Sequence, residues 1–146
     1  MQLKIIPAVI PIFLFISSFQ PLQEQGIKLT ITHLRNEKGF VLVSLFKDGA
    51  GYPDDAEKAF RREKLAIYNK KAVILFPDLP AGNYAISILQ DENNDQRMNK
   101  NALGVPKEGY GFSNNVAGAF GPPSFRRASF KHAAGALTQL SIRIRY

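Results

Sequence analysis

The chain contains no cysteine. A disulfide framework, a zinc–thiolate site and a thiol nucleophile are therefore excluded. A lipid-anchored bacterial lipoprotein is excluded as well, because its anchor needs a cysteine after the leader. Only two histidines occur, His33 and His132, and their spacing is not that of a metal pair. No motif places either in a Ser-His-Asp triad, and each reads as an ordinary surface or strand-end residue. No phosphate-cradling glycine loop and no dinucleotide fingerprint is present. Past the first few dozen residues, no apolar run approaches the roughly 20 residues that cross a bilayer as a helix. What remains is a chain of 146 residues, 45% hydrophobic and 21% charged, which is the composition of one globular domain.

Residues 1–20 read as an address. Lys4 is followed by an apolar run from Ile5 to Ile16 and then by Ser17 and Ser18. A charged start, about 7–15 apolar residues and a small-residue exit make a secretory signal peptide. Pro7 and Pro11 would damage a core helix. The expected location is periplasmic or secreted, in a bacterium, with no transmembrane span after cleavage. Residues 21–146 are then a single domain, and a monomer is expected. Without Lys4 the formal charge falls from +7 to +6.

Strand signals dominate this domain. Ile27, Leu29 and Ile31 alternate with Lys28, Thr30 and Thr32, and Phe40 to Phe46 is an almost continuous apolar run. The turn Arg35–Gly39 between them suggests a hairpin. Pro53 to Arg62 has acidic residues early and basic residues late, and reads as one short helix. Further strands are expected at 65–68, 72–76, 84–89, weakly at 124–131, and at 140–146. In the last, apolar Leu140, Ile142 and Ile144 alternate with Ser141, Arg143 and Arg145. The fold class is therefore all-β: a single antiparallel β-sandwich of about seven strands, immunoglobulin-like or prealbumin-like, with one short helix.

The exception is the stretch 91–123, which has five glycines and little periodicity. Its aromatics Tyr110, Phe112 and Phe120 argue for an ordered loop packed over one end of the sandwich. Asp91, Asn93, Asp95 and Asn99 take positions one, three, five and nine of a calcium-loop spacing, with Glu108 as a distant candidate ligand. Gln96 stands where a glycine makes the sharp turn, and Ala102 where a bidentate glutamate belongs. Calcium is the one cofactor the sequence offers, and an Asx-rich turn bonding to its own backbone is the favoured reading. The string from Gly104 through Asn115 suggests a ligand platform presenting Tyr110, Ser113 and Asn114, with Phe112 and Glu108 as further candidate ligand-binding residues, set against a self-packed structural loop. Basic side chains are scattered along the chain, and an exported protein has no nucleic acid as its target.

Leu79-Pro80-Ala81-Gly82-Asn83-Tyr84-Ala85, Asp91-Glu92-Asn93, Gly104 through Asn115 and Pro123-Ser124-Phe125 together resemble DUF2141, an exported bacterial domain-of-unknown-function family. The Leu-Pro-Ala-Gly-x-Tyr turn is shared more loosely with prealbumin-like and carboxypeptidase-regulatory-like sandwiches. The resemblance implies a secreted β-sandwich and carries no catalytic residue with it. Members usually show Asp-x-Asn-x-Asn-Gly and then Leu-Asp, where this chain has Asp95-Gln96 and Met98-Asn99. The leading expectation is a non-catalytic binding or structural module for an unknown envelope or extracellular ligand, with recognition in 91–123. One alternative is a small hydrolase or glycan-processing enzyme using Asp91, Asp95 and Glu108. Another is a basic protein that binds polyanions or the envelope surface.

Overall fold

Alternation of apolar and polar side chains resolves into eight strands in the computed structural model, which describes residues 24–118 and 121–146. The leader expected at 1–20 and the side chain of Phe120 lie outside the described residues. The strands are β1 (Gly26–Thr32), β2 (Phe40–Lys47), β3 (Arg61–Leu65), β4 (Ala72–Phe76), β5 (Gly82–Asp91), β6 (Gly109–Phe112), β7 (Phe130–His132) and β8 (Leu137–Arg143). One α-helical turn, α1, spans Phe125–Ala128, and 3₁₀ turns occupy Ala56–Lys58 and Ser113–Asn115.

Two sheets form an all-β sandwich. The smaller has the order β4-β1-β8 and the larger β3-β2-β5-β6. The long strand β5 serves two partners along one edge, β7 at residues 82–84 and β6 at residues 87–90. A bridge between Tyr110 and Arg145 ties β6 to the chain just past β8, which joins the sheets along that side. Ile27, Leu29, Ile31 and Ile142 from the small sheet meet Val41, Val43, Leu45, Tyr84, Ile86 and Ile88 from the large one, all buried. Burial of each such aliphatic side chain contributes roughly 1.5–3 kcal/mol, so the core needs no covalent staple.

The Leu-Pro-Ala-Gly-x-Tyr turn has a local cause. Tyr84 points inward from β5, and its hydroxyl donates to the carbonyl of Pro80 at 2.7 Å. The bond closes the turn that feeds β5, as the tyrosine corner does in other sandwiches.

Five expectations are corrected. The segments 27–32 and 40–46 do not pair as a hairpin; β1 and β2 belong to different sheets. His33 has φ +64°, Leu34 is buried and the chain crosses the end of the sandwich. The sandwich is not wholly antiparallel, because β1 and β8 run parallel. The helix expected over 53–62 shrinks to the turn at Ala56–Lys58, because Arg61 and Arg62 are drawn into β3, where they pair with Leu45 and Ser44. The edge of β2 thereby gains a partner for its backbone groups. The short helix lies instead at Phe125–Ala128, inside the expected weak strand. Finally, 91–123 is not one loop, since β6 and the turn 113–115 are built from its middle.

Candidate functional site

The carboxylates at the end of β5 converge. Asp91, Asp95 and Glu108 each place an oxygen within 4.8 Å of the others. Asp91 accepts the amides of Asp95 (3.1 Å) and Gln96 (2.9 Å), and Glu108 accepts those of Glu92 (3.0 Å) and Asn99 (3.1 Å). Asp95 accepts the side-chain amides of Asn99 (2.8 Å) and Asn93 (3.0 Å) and the backbone amide of Arg97. These bonds, that of Asn99 first, hold the Asp95 carboxyl below the usual carboxylate range. All four residues of the expected loop spacing thus meet, and Glu108 joins them from the far side of the loop. Gln96, standing in the glycine position, adopts φ +61°, the left-handed conformation the turn requires. Asp91 and Glu108 are buried, whereas Asp95 is exposed.

A second polar cluster adjoins this one. Arg35 donates to Glu92 at 2.7 Å and to the carbonyl of Lys107 at 3.0 Å, and its guanidinium lies 4.5 Å from the centre of the Tyr146 ring. The Tyr146 hydroxyl accepts the Arg35 amide at 2.8 Å and donates to fully buried Gln90, which in turn donates to Asn36. Burial pushes the Glu92 carboxyl up, but bonds from Arg35 and Asn36 outweigh it and hold the group below its ordinary range. The β1–β2 crossover, the carboxylate loop and the C-terminus are fastened together here.

The outer face of the large sheet carries a groove of about 900 Å³. Its floor follows from strand register. One row across the sheet is Lys64, Leu42, Leu89 and Tyr110; the next is Arg62, Ser44, Ser87 and Phe112. Segment 96–106, Gly118, Gly121 and Pro122, and the turn after Pro53 wall it in. Beyond Phe112 the same face is filled by Tyr52, whose ring meets Phe46, Phe112 and Phe125 edge-on at 5.5–6.2 Å. Burial pushes the Tyr52 hydroxyl up from its ordinary value. The Ser87 hydroxyl donates to Pro53 O at 2.8 Å, pinning this cover to the sheet.

The ligand-platform string divides. Tyr110 and Phe112 face the groove, but Glu108 does not line it. Ser113 is fully buried rather than presented: its Oγ accepts the amide of Ile86 (2.9 Å) and donates to Ala128 O (2.6 Å). It fills the gap on the β5 edge between β6 and β7, where no strand reaches residue 86. Asn114 is exposed, but its amide donates to the carbonyls of Arg127, within the end of α1, and Ser129, just beyond it. Asn115 pairs like a strand residue with β8, accepting Arg143 N and donating to Ser141 O. His132 ends β7, as the strand-end reading expected, and is buried, with Nδ1 on Thr138 Oγ1 at 2.8 Å.

Leu42 and Leu89 escaped the sequence reading as site residues, and Arg62 and Lys64 stood in it only among the scattered basic side chains. Their signal was available: Leu42 and Leu89 occupy outward positions of β2 and β5, where a solvated sheet face should be polar. No helix among the described residues is long and apolar enough to cross a membrane.

Residues 29–139 match the family described as an uncharacterized protein conserved in bacteria, DUF2141, and the chain belongs to this family. No curated protein and no solved structure matches it.

Proposed function

We propose that this DUF2141 member is an exported, non-catalytic binding module whose ligand lies in the groove on the outer face of the large sheet. The observation that carries this reading is the groove floor. Leu42, Leu89, Tyr110 and Phe112 form an apolar strip across three strands, half-buried under loops from 91–123 and open to an occupant. Pockets of this size, mostly apolar with a few polar groups, are where small molecules bind. The nearby hydroxyls of Ser87 and Ser113 both donate to backbone carbonyls, which favours binding over nucleophilic chemistry. Asp91 and Glu108 are buried and bonded to backbone amides, an arrangement suited to holding a loop rather than to acid–base work on a glycan.

The test is an amide-shift screen of the isotopically labelled domain against a library of small apolar and amphipathic molecules. Hits should cluster at Leu42, Leu89 and Tyr110, and Leu89→Arg should abolish them without lowering the melting temperature by more than a few degrees. Shifts confined to other surfaces, or hydrolase turnover that Asp91→Asn removes, would overturn the reading. Export and a periplasmic or secreted location rest on the order of charged, apolar and small residues in 1–20. Residues 1–20 fused to a leaderless alkaline phosphatase should carry the reporter out of the cytoplasm. A prealbumin-like kinship rests on the turn closed by Tyr84 and Pro80.

A second reading has its own observation. Three carboxylates within 4.8 Å repel one another, and a hard cation would relieve that repulsion. Calcium takes six to eight oxygens; Asp91, Asp95 and Glu108 offer carboxylate oxygens, and a half-turn of the Asn93 and Asn99 amides would add two more. The role would be structural, locking the groove wall. Melting in millimolar calcium and in chelator tests it: a site at a hundredfold excess over Kd adds about 2.7 kcal/mol, and an unchanged midpoint rejects it.

A further inference from the structure

We infer that the groove takes an elongated anionic amphiphile, its charged head at Lys64 and Arg62 on β3 and its apolar body laid across Leu42 and Leu89 toward Tyr110 and Phe112 on β6. The inference rests on the groove being the binding site and adds the class and direction of its occupant.

Strand register makes the floor polar at one end and aromatic at the other. Both rows begin with a cation on β3 and end with an aromatic ring on β6. Three inter-strand steps separate these ends, a span of about 14 Å. That is the length of an extended molecule lying across the strands. A flat surface patch would not impose such a direction.

The charge at the β3 end is available. Lys64 Nζ is steadied by Asn94 Oδ1 at 2.6 Å and sits 4.0 Å from the centre of the Phe40 ring. Neither contact neutralises it, and no carboxylate lies within ion-pair reach of it among the described residues. Arg62 pairs at 2.5 Å with Glu57, whose side chain is 84% exposed, so a bound anion can share its guanidinium. Arg97 and Lys100 add two more cations on the facing loop, against Asp54 and Glu63 as the acidic members of the lining. Farther along this wall the side chains are apolar: Leu103 is 88% and Val105 52% exposed, both at the groove. Exposed apolar side chains that flank an apolar floor are covered when a chain-like occupant fills the space between them.

The occupant is read as a single dissolved molecule, because the floor is enclosed by loops. The probes are decanoate, its neutral analogue decanol, and vesicles of anionic phospholipid. Amide shifts and calorimetry on the full mature domain should place decanoate at Leu42, Leu89 and Tyr110, at least tenfold tighter than decanol. The double variant Arg62→Met/Lys64→Met should erase that preference and leave decanol binding unchanged. Tyr110→Ser should weaken both. Equal affinity for decanoate and decanol at the groove would overturn the inference while the groove remains a binding site. Shifts at the groove with neither probe would overturn the inference and the binding reading together. Flotation with anionic vesicles that decanoate does not compete would overturn it in favour of a surface-binding face.

Discussion

Asp91 and Glu108 bracket the same loop and hold it by opposite ends. Asp91, the last residue of β5, takes the amides of Asp95 and Gln96; Glu108, one residue before β6, takes those of Glu92 and Asn99. Four backbone donors of an irregular segment are thereby satisfied by two buried carboxylates. This segment forms one wall of the groove, so the latch couples loop order to binding.

Asp91→Asn and Glu108→Gln each replace a carboxylate that accepts two amides with a group having one acceptor oxygen. Leaving a buried amide unpaired costs about 1–3 kcal/mol, so each variant should lose about that much in chemical denaturation. Hydrogen exchange should also quicken at the amides of Asp95, Gln96, Glu92 and Asn99, while β1 and β2 stay protected. Loss of stability without faster exchange in the loop would show that the latch is not the cause.

Ser113 makes a separate prediction. Its hydroxyl completes the β5 edge at Ile86, where neither β6 nor β7 reaches. Ser113→Ala should cost about 1–3 kcal/mol, and Ser113→Thr, which keeps the acceptor, should recover part of it. Ligand binding at the groove should be unchanged in Ser113→Ala under conditions where it remains folded. A loss of binding larger than the loss of folded protein would return Ser113 to the site.

These two cases show what the sequence could and could not disclose. Period-two alternation revealed the inward set Ile27, Leu29 and Ile31 and the apolar and basic faces of β8, because a strand's facing is a local property. The convergence of Asp91, Asn93, Asp95 and Asn99 was legible for the same reason: a tight loop brings alternate residues together. The parallel pairing of β1 with β8 was not legible, since it joins the two ends of the domain and leaves no local pattern. Nor was the groove. Lys64, Leu42, Leu89 and Tyr110 come from four strands and become neighbours only through register. Ser113-Asn114-Asn115 looked like a presented polar string because sequence reports polarity, not the partner; here three polar side chains complete the edges of β5, α1 and β8.

The Arg35–Glu92 pair gives the protein an acid-sensitive clasp. Glu92 has its folded-state pKa held below the ordinary value, so its contribution to stability is present above the ordinary glutamate range. That contribution is lost as pH falls through the lowered folded value. The effect is modest, about 1 kcal/mol or less, because the Arg35 side chain is nearly half exposed and solvent screens the pair. Melting temperatures of the native chain and of Glu92→Gln should differ at pH about 6 and converge toward pH about 3, below the ordinary glutamate value near 4.3. A difference independent of pH would assign the loss to packing rather than charge.

The two sheets approach each other closely at β6. Gly109 and Gly111 face inward there, at ordinary negative φ, so their need for glycine is spatial and not conformational. A Cβ on Gly109 would stand 2.5 Å from Ile144 Cγ2 and 2.6 Å from Tyr146 Cε1; one on Gly111 would stand 2.9 Å from Ile142 Cγ2 and 3.3 Å from the carbonyl of Arg143. Alanine at Gly109 therefore pushes the chain after β8, and alanine at Gly111 the end of β8, away from β6, and either strains the Tyr110–Arg145 bridge. Overpacking of this kind costs about 1–3 kcal/mol. The cause is separable from a general effect of alanine in a strand by pairing Gly109→Ala with Ile144→Ala, which removes the nearest opposing atom. Residues in contact couple by about 0.5–3 kcal/mol, so the double variant should be more stable than the sum of the two single losses allows. Strict additivity would mean that the glycine is not there to admit Ile144.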